Sequence, residues 1–379
     1  MKKALIISIK AGYGHHSTGQ AIMQYMKTKK VDCEMLDTFE YINPHLNNSV
    51  SKGYLLTTKY TPEAFGKVYG NLAKKDQRYD KHSFFAILSK IVSSKLKNFI
   101  DAYSPDVIIG THSFACMVMT YLKEKGEITC PTIGIVTDFT VHPFWESTTL
   151  DYYVVPDDML IRQMNKKGIP TKRILPFGIP VHERFSCREE AQEARARLGI
   201  DNIPTILVMM GSMGFGNMEK QMEAIDAIDL QFQVLCVCGN NQKMKKEIDR
   251  KVWRKKIYTY GFVHNVDELM DASDCIITKP GGLTMSEALA KGIPPIIMNP
   301  IPGQEDRNME FLVNNGAAIM VTETFPVDEA IFYLLHHQWR LDLLKKSIER
   351  LGKPESTADL CEFILHKLWG IEEEEEVSR

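Results

Sequence analysis

No apolar run in this chain approaches the roughly 18 residues that a membrane-spanning helix needs. Ala4 to Ile9, behind Met1-Lys2-Lys3, imitates the start of a signal peptide, but Lys10 closes it before an h-region could form. The eight cysteines, at positions 33, 116, 130, 187, 236, 238, 275 and 361, include no C-x-x-C pair and no His/Cys cluster. That pattern argues against a zinc site and a disulfide framework, and points to a reducing compartment, the cytosol. Charge of one sign is also scarce, with 46 Lys+Arg against 48 Asp+Glu. Without the acidic run Glu372 to Glu376 the balance is 46 against 43, still too small an excess for a nucleic-acid binder. The Walker pattern is missing, which argues against ATP hydrolysis, and no D-x-D stands at a strand end, so no metal and no cofactor is expected.

What is present is an ordinary globular composition, 44% hydrophobic and 25% charged over 379 residues, enough for two domains. The dominant rhythm is a short apolar strand, a Gly-rich or polar turn, then a helix. Expected strands are Ala4–Ile9, Asp32–Leu36, Val107–Gly110, Thr132–Val136, Tyr152–Val155 and Arg173–Leu175, with helices at Ser17–Lys29, Phe114–Lys125 and Asp157–Lys167. After a charged helix, Arg188–Leu198, a second series is expected at Thr205–Met210, Phe232–Cys238, Ile257–Gly261, Cys275–Thr278, Pro295–Met298 and Ala317–Val321. Near-continuous β-branched and apolar strands fit parallel sheets covered by helices on both faces. The expected fold is therefore α/β, two doubly wound Rossmann-like domains facing a central cleft. Their expected limits are 1–185 and 200–350. Helices at about 327–351 and 356–369 follow, the part beyond 351 bracing the first domain before a solvated acidic tail.

One stretch breaks the rhythm. Residues 45–100 hold ten Lys/Arg against three Asp/Glu, with eight interleaved aromatics from Tyr54 to Phe99. Within it Phe84, Leu88, Ile91, Val92, Leu96 and Phe99 recur at helical spacing beside Lys90, Lys95 and Lys97. Two readings stand: a helix packed on its own sheet, or an amphipathic surface for anionic lipid headgroups.

Three strand-end loops could carry chemistry. Lys10-Ala11-Gly12-Tyr13-Gly14-His15-His16-Ser17 follows the first strand, and Ser17 departs from the G-x-G-x-x-G dinucleotide fingerprint. Its paired glycines allow close backbone approach, and a histidine there suits a general base, although the sequence alone does not choose between His15 and His16. Thr278-Lys279-Pro280-Gly281-Gly282-Leu283-Thr284-Met285-Ser286-Glu287 runs from a strand into a helix, an arrangement for diphosphate, with Glu287 one turn on to reach a ribose. Pro302-Gly303-Gln304-Glu305 offers an amide and a carboxylate to a hydroxyl-rich ligand.

These three motifs, with Thr137-Asp138-Phe139, His142 and Trp145, resemble family 28 glycosyltransferases, in the branch of monogalactosyldiacylglycerol synthases and bacterial processive diacylglycerol β-glucosyltransferases. The resemblance spans roughly residues 4 to 350. It implies a GT-B fold and inverting transfer of a hexose from a UDP-sugar to diacylglycerol, or to a sugar already on it. The basic-aromatic stretch 45–100 adds the expectation of contact with an anionic membrane surface, on the inner face of the cell membrane. It implies His15 as the base; Gly281, Gly282, Leu283 and Thr284 for the diphosphate; Glu287 for the ribose; and Gln304 with Glu305 for the sugar. Gly211, Ser212 and Gly214 would close on the phosphates, Phe262 and Val263 would face the uracil, and Asp138, His142 and Trp145 would line the acceptor side. The competing readings are an N-acetylglucosaminyltransferase acting on a polyprenyl-linked peptidoglycan precursor, a UDP-N-acetylglucosamine 2-epimerase and a non-catalytic UDP-sugar sensor.

Overall fold

A computed structural model describes residues 1–9, 13–42, 84–210, 218–303 and 305–371. Gly12, the basic-aromatic stretch from 45 to 83, Gly211, Ser212, Gly214, Gln304 and the acidic tail lie outside the described residues.

The described residues within 1–183 and 355–371 make one compact unit, and 184–354 make another. The first unit is built on β1 (Lys3–Ser8), β2 (Asp32–Asp37), β3 (Val107–Gly110), β4 (Thr132–Ile135), β5 (Tyr152–Val154) and β6 (Ile174–Leu175). They form one parallel sheet in the order β2-β1-β3-β4-β5-β6. Its helices are α1 (Tyr13–Thr28), α2 (Thr38–Ile42), α3 (Phe84–Tyr103), α4 (Ser113–Glu124) and α5 (Ile161–Lys166). Every residue of β3 and β4 is buried, as expected for strands covered on both faces. Gly19 lets α1 lie close on the sheet: a Cβ there would meet the Met35 sulfur at 2.6 Å and Ile6 at 3.2 Å.

The second unit carries α6 (Ala191–Leu198), then β7 (Thr205–Met209), α7 (Met218–Ala227), β8 (Gln233–Val237), α8 (Gln242–Arg250), β9 (Lys256–Tyr260), α9 (Val266–Asp271) and β10 (Cys275–Thr278). It continues with α10 (Gly282–Lys291), β11 (Pro295–Ile297), α11 (Glu305–Asn314), β12 (Ile319–Met320), α12 (Val327–His336) and α13 (Gln338–Leu351). Its sheet is also parallel throughout, in the order β12-β11-β10-β7-β8-β9. A buried ion pair, Lys291 to Asp271 at 2.6 Å, ties α10 to α9. Arg195 of α6 reaches Asp274 at 2.7 Å and the Ala272 carbonyl at 2.9 Å, fixing the approach to β10.

Past α13 the chain returns to the first unit through α14 (Ser356–Glu362) and a π-helical turn, Phe363–Leu368. Leu360, Cys361, Ile364 and Leu365 join the core made by Ala4, Ile6, Val107 and Ile109. Ser356 and Thr357 donate to the Ile179 and Val181 carbonyls at 3.0 and 2.6 Å, and Tyr25 donates to Glu362 at 2.8 Å.

Strand order decides where ligands go. In open α/β sheets they bind outside the carboxyl ends of strands, where the order reverses direction. In the first unit that point lies between β1 and β3, and in the second between β7 and β10.

Several expected boundaries shift. The helix after β1 begins at Tyr13 rather than Ser17, because Gly14 is tolerated in a first turn, so His15 is helical. The helix expected over 327–351 is two, broken where His337 leaves helical geometry at φ −112° and ψ 92°. In α3, Val92, Leu96 and Ile100 are buried, so this part of the stripe packs inward and is no lipid-facing surface. Of its basic residues, Lys95 is exposed and Lys97 pairs with Asp101.

Candidate functional site

At the switch point of the first unit, His15 sits in the first turn of α1, and two strand ends hold its ring. Nδ1 is 2.8 Å from the carbonyl oxygen of Thr111, directly after β3, and 3.0 Å from the hydroxyl of Thr137, two residues after β4. Thr111 is itself pinned to β1, donating from its amide to Ile7 at 3.1 Å and from its hydroxyl to Ser8 at 2.9 Å. A carbonyl can only accept, so Nδ1 carries the proton and Nε2 keeps its lone pair. Burial pushes the imidazole below its usual value of 6.5, against the opposing charge of Asp138 and the hydrogen bond to Thr111. The positive end of α1 acts in the same direction as burial. The result is a neutral imidazole at neutral pH with one basic nitrogen, the form a general base requires.

Two more histidines stand beside it. His112 caps α4, its Nδ1 accepting from the Phe114 amide at 3.1 Å, and its ring meets His15 edge-on with centroids 4.6 Å apart. His142 caps the short turn Pro143–Ser147 in the same way, its Nδ1 accepting from the Phe144 amide at 3.2 Å. Burial, then the neighbouring His15 and His142, hold His112 well below the usual histidine range. Asp138 is half-buried and acts electrostatically on His15. Trp145, expected on the acceptor side, is only 4% exposed and packs on Tyr153 and against Gly134. Its evident work is to seat the turn that carries His142.

In the second unit the switch-point loop follows β10. Gly281 caps α10 with no side-chain hydrogen bond, so the first-turn amides of Gly282, Leu283 and Thr284 have no acceptor from a capping group. Gly281 has an ordinary backbone, φ −66° and ψ 136°, and a Cβ there would meet only Glu305 Oε1, at 4.0 Å. Neither conformation nor packing therefore demands glycine at 281. A ligand approaching the amides would.

Behind this turn, buried Asn308 of α11 donates to the Pro280 carbonyl at 3.0 Å. Glu305 accepts from the Ile301 amide at 2.7 Å through Oε2 and acts on Lys279, whose ammonium burial pushes down. The loops 278–284 and 301–305 thus converge. Burial drives the Glu287 carboxyl up to about 8, helped by Asp267 and opposed by Arg184. Arg184 donates to the His264 carbonyl at 2.6 Å and pairs with Asp267 at 3.5 Å, which brings the loop after β9 beside Glu287. On that loop Val263 is half-buried, while Phe262 is 47% exposed with its ring against His264 at 5.2 Å.

Sequence reasoning missed Thr111, His112, Arg184 and Asn308. The position of His112 was the available signal, since it lies two residues beyond the apolar strand β3, and His15 likewise lies in the segment after a strand. Asn308 and Arg184 act through tertiary contacts that no local pattern announces.

Residues 15–181 match the family model of monogalactosyldiacylglycerol (MGDG) synthase, and residues 205–332 match the glycosyltransferase family 28 C-terminal domain. The chain is 28% identical over 371 residues to a processive diacylglycerol beta-glucosyltransferase of Bacillus pumilus, covering 97% of this chain and 95% of that protein. It is equally similar, 28% over 370 residues, to the protein of that name from Bacillus cereus strain ATCC 14579, covering 96% and 93%. Among solved structures, Acinetobacter baumannii MurG has a TM-score of 0.60 at 14% identity, covering 96% of this chain and 99% of that one. The S. aureus MnaA–UDP complex has a TM-score of 0.64 at 13% identity, covering 98% of both. At such identities these structures carry the fold alone, which is of the GT-B type.

Proposed function

We propose that the chain is a family 28 glycosyltransferase of the monogalactosyldiacylglycerol synthase branch, and that it moves a hexose from a UDP-sugar to diacylglycerol; the two family matches and the named relatives support this reading. The acceptor is the lipid hydroxyl or a sugar already on it, and the new linkage is β. The observation that carries the mechanism is the locked tautomer of His15, with Nδ1–H spent on Thr111 and Nε2 left basic.

The acceptor oxygen attacks the anomeric carbon as its proton passes to His15 Nε2. The bond from that carbon to the phosphate oxygen breaks, and UDP leaves with the electron pair. Charge grows on the diphosphate as it departs, and the amides of Gly282, Leu283 and Thr284 at the positive end of α10 stabilise it. Glu287 takes the ribose hydroxyls, Phe262 and Val263 flank the uracil, and Glu305 with Gln304 reads the sugar. Gly211, Ser212 and Gly214 close on the phosphates. Asp138 and His142 belong to the acceptor side.

The named relatives favour a diacylglycerol acceptor over a polyprenyl-linked one. No helix among the described residues is long and apolar enough to cross a membrane. The transfer we propose happens at the bilayer surface, where diacylglycerol lies. We place that work on the inner face of the cell membrane, where a nucleotide-sugar is available. The test is incubation with each of UDP-glucose, UDP-galactose and UDP-N-acetylglucosamine, with and without diacylglycerol liposomes, followed by mass spectrometry of the lipids. A hexosyl-diacylglycerol is the expected product. Epimerised UDP-N-acetylglucosamine without acceptor, or tight binding with no turnover, would contradict the reading.

A further inference from the structure

His112 presents chemistry opposite to that of its neighbour. Because Nδ1 accepts from the Phe114 amide at 3.1 Å, the neutral ring carries its proton on Nε2. His15 holds its proton on Nδ1 and offers a lone pair at Nε2. Two imidazoles with centroids 4.6 Å apart thus supply one acceptor and one donor at the same switch point. His112 is half-buried, and among the described residues nothing receives its Nε2–H. The helix cap fixes the ring in place, so the donor is preorganised rather than free to turn away.

Given the reaction proposed above, on which this inference rests, the hydroxyl that reaches His15 arrives with a particular neighbour. In diacylglycerol the nearest strong hydrogen-bond acceptor to that hydroxyl is the ester on the adjoining carbon. We propose that His112 Nε2–H recognises the carbonyl of this ester, and so selects a diacyl lipid over its dialkyl ether analogue. The ether oxygen is a weaker and more shielded acceptor. A neutral donor suits an uncharged carbonyl, and the burial that keeps His112 neutral preserves both the cap and the donor.

The experiment compares kcat/KM for 1,2-diacylglycerol and 1,2-dialkylglycerol of equal chain length in neutral detergent micelles. The wild-type chain should prefer the diester by about 3- to 10-fold, the worth of one neutral hydrogen bond. His112→Ser keeps an oxygen to cap α4, since Ser is a strong N-cap, but places no donor at the reach of Nε2. It should bring the ratio to about one, with melting temperature and UDP affinity unchanged. A wild-type chain with no preference, or a variant that keeps it, would overturn the assignment. The wild-type comparison decides even if the variant fails to fold. If neither lipid is glycosylated with any UDP-sugar, the proposed function itself fails, a result distinct from equal use of both.

Discussion

Replacing Gly281 by alanine separates a glycine kept for a ligand from one kept for the fold. The backbone at 281 is open to any residue, and the nearest atom to the added methyl is Glu305 Oε1 at 4.0 Å, ordinary van der Waals contact. Alanine restricts the unfolded chain, stabilising by about 0.4–1 kcal/mol. As an N-cap it is poorer than glycine, at a cost of comparable size. The two offset, so the melting temperature should move by no more than about 2–4 °C. On the proposed reading, a diphosphate approaches the amides of Gly282 to Thr284 past this methyl. Displacing one charge-assisted hydrogen bond costs about 1.5–3 kcal/mol, which weakens UDP binding by about 10- to 150-fold. Calorimetric titration with UDP and a thermal melt of the free chain read the two effects separately. UDP affinity within twofold of wild type would refute the placement of the diphosphate at α10.

His15→Ala should lower kcat by about 100- to 10,000-fold while leaving UDP affinity nearly unchanged. Near-normal turnover in that variant, with His16→Ala inactive, would move the base one residue along. Because burial lowers His15, kcat/KM should fall only below the usual histidine range, as the ring gains a proton in acid. Glu287 has its carboxyl raised to about 8; if it accepts from two ribose hydroxyls as proposed, it must ionise, and UDP binding should release a proton. Affinity should therefore rise with pH up to about 8 and then level off, and Glu287→Gln should flatten the curve and weaken binding by about 1.5–3 kcal/mol. Activity on anionic liposomes should fall with salt as the Debye length shrinks from about 10 Å at 0.1 M to about 3 Å at 1 M. Equal activity on neutral and anionic vesicles at all salt concentrations would remove the charged membrane surface from the account.

The strands were the most legible part. Val107–Gly110 and Cys275–Thr278 keep their expected bounds, because a strand buried on both faces shows in the sequence as a near-continuous apolar run. Ends were less readable where glycine or a side-chain cap intervenes. Gly12 and Gly14 look like a loop, yet α1 already includes Gly14 and places His15 on its first turn. His337 interrupts one apolar period that reads as continuous. The loop after β10 announced itself through Gly281 and Gly282, whereas its support, Asn308, lies 28 residues from the carbonyl it holds. Trp145 shows the converse: an aromatic beside a histidine reads as a site residue, and the sequence does not announce that it is buried against Tyr153 and Gly134. The tautomer of His15 depends on Thr111, 96 residues away, and no spacing rule reaches that far.

Inverting transfer from a UDP-sugar to a lipid hydroxyl, with His15 as base, is tested most directly by the anomeric configuration of the purified glycolipid. Proton NMR of the product made by the wild-type chain from an α-linked UDP-hexose and diacylglycerol should show a β-linked sugar, and His15→Ala should yield almost none. An α-linked product, or abundant β-linked product from the His15→Ala chain, would contradict the mechanism.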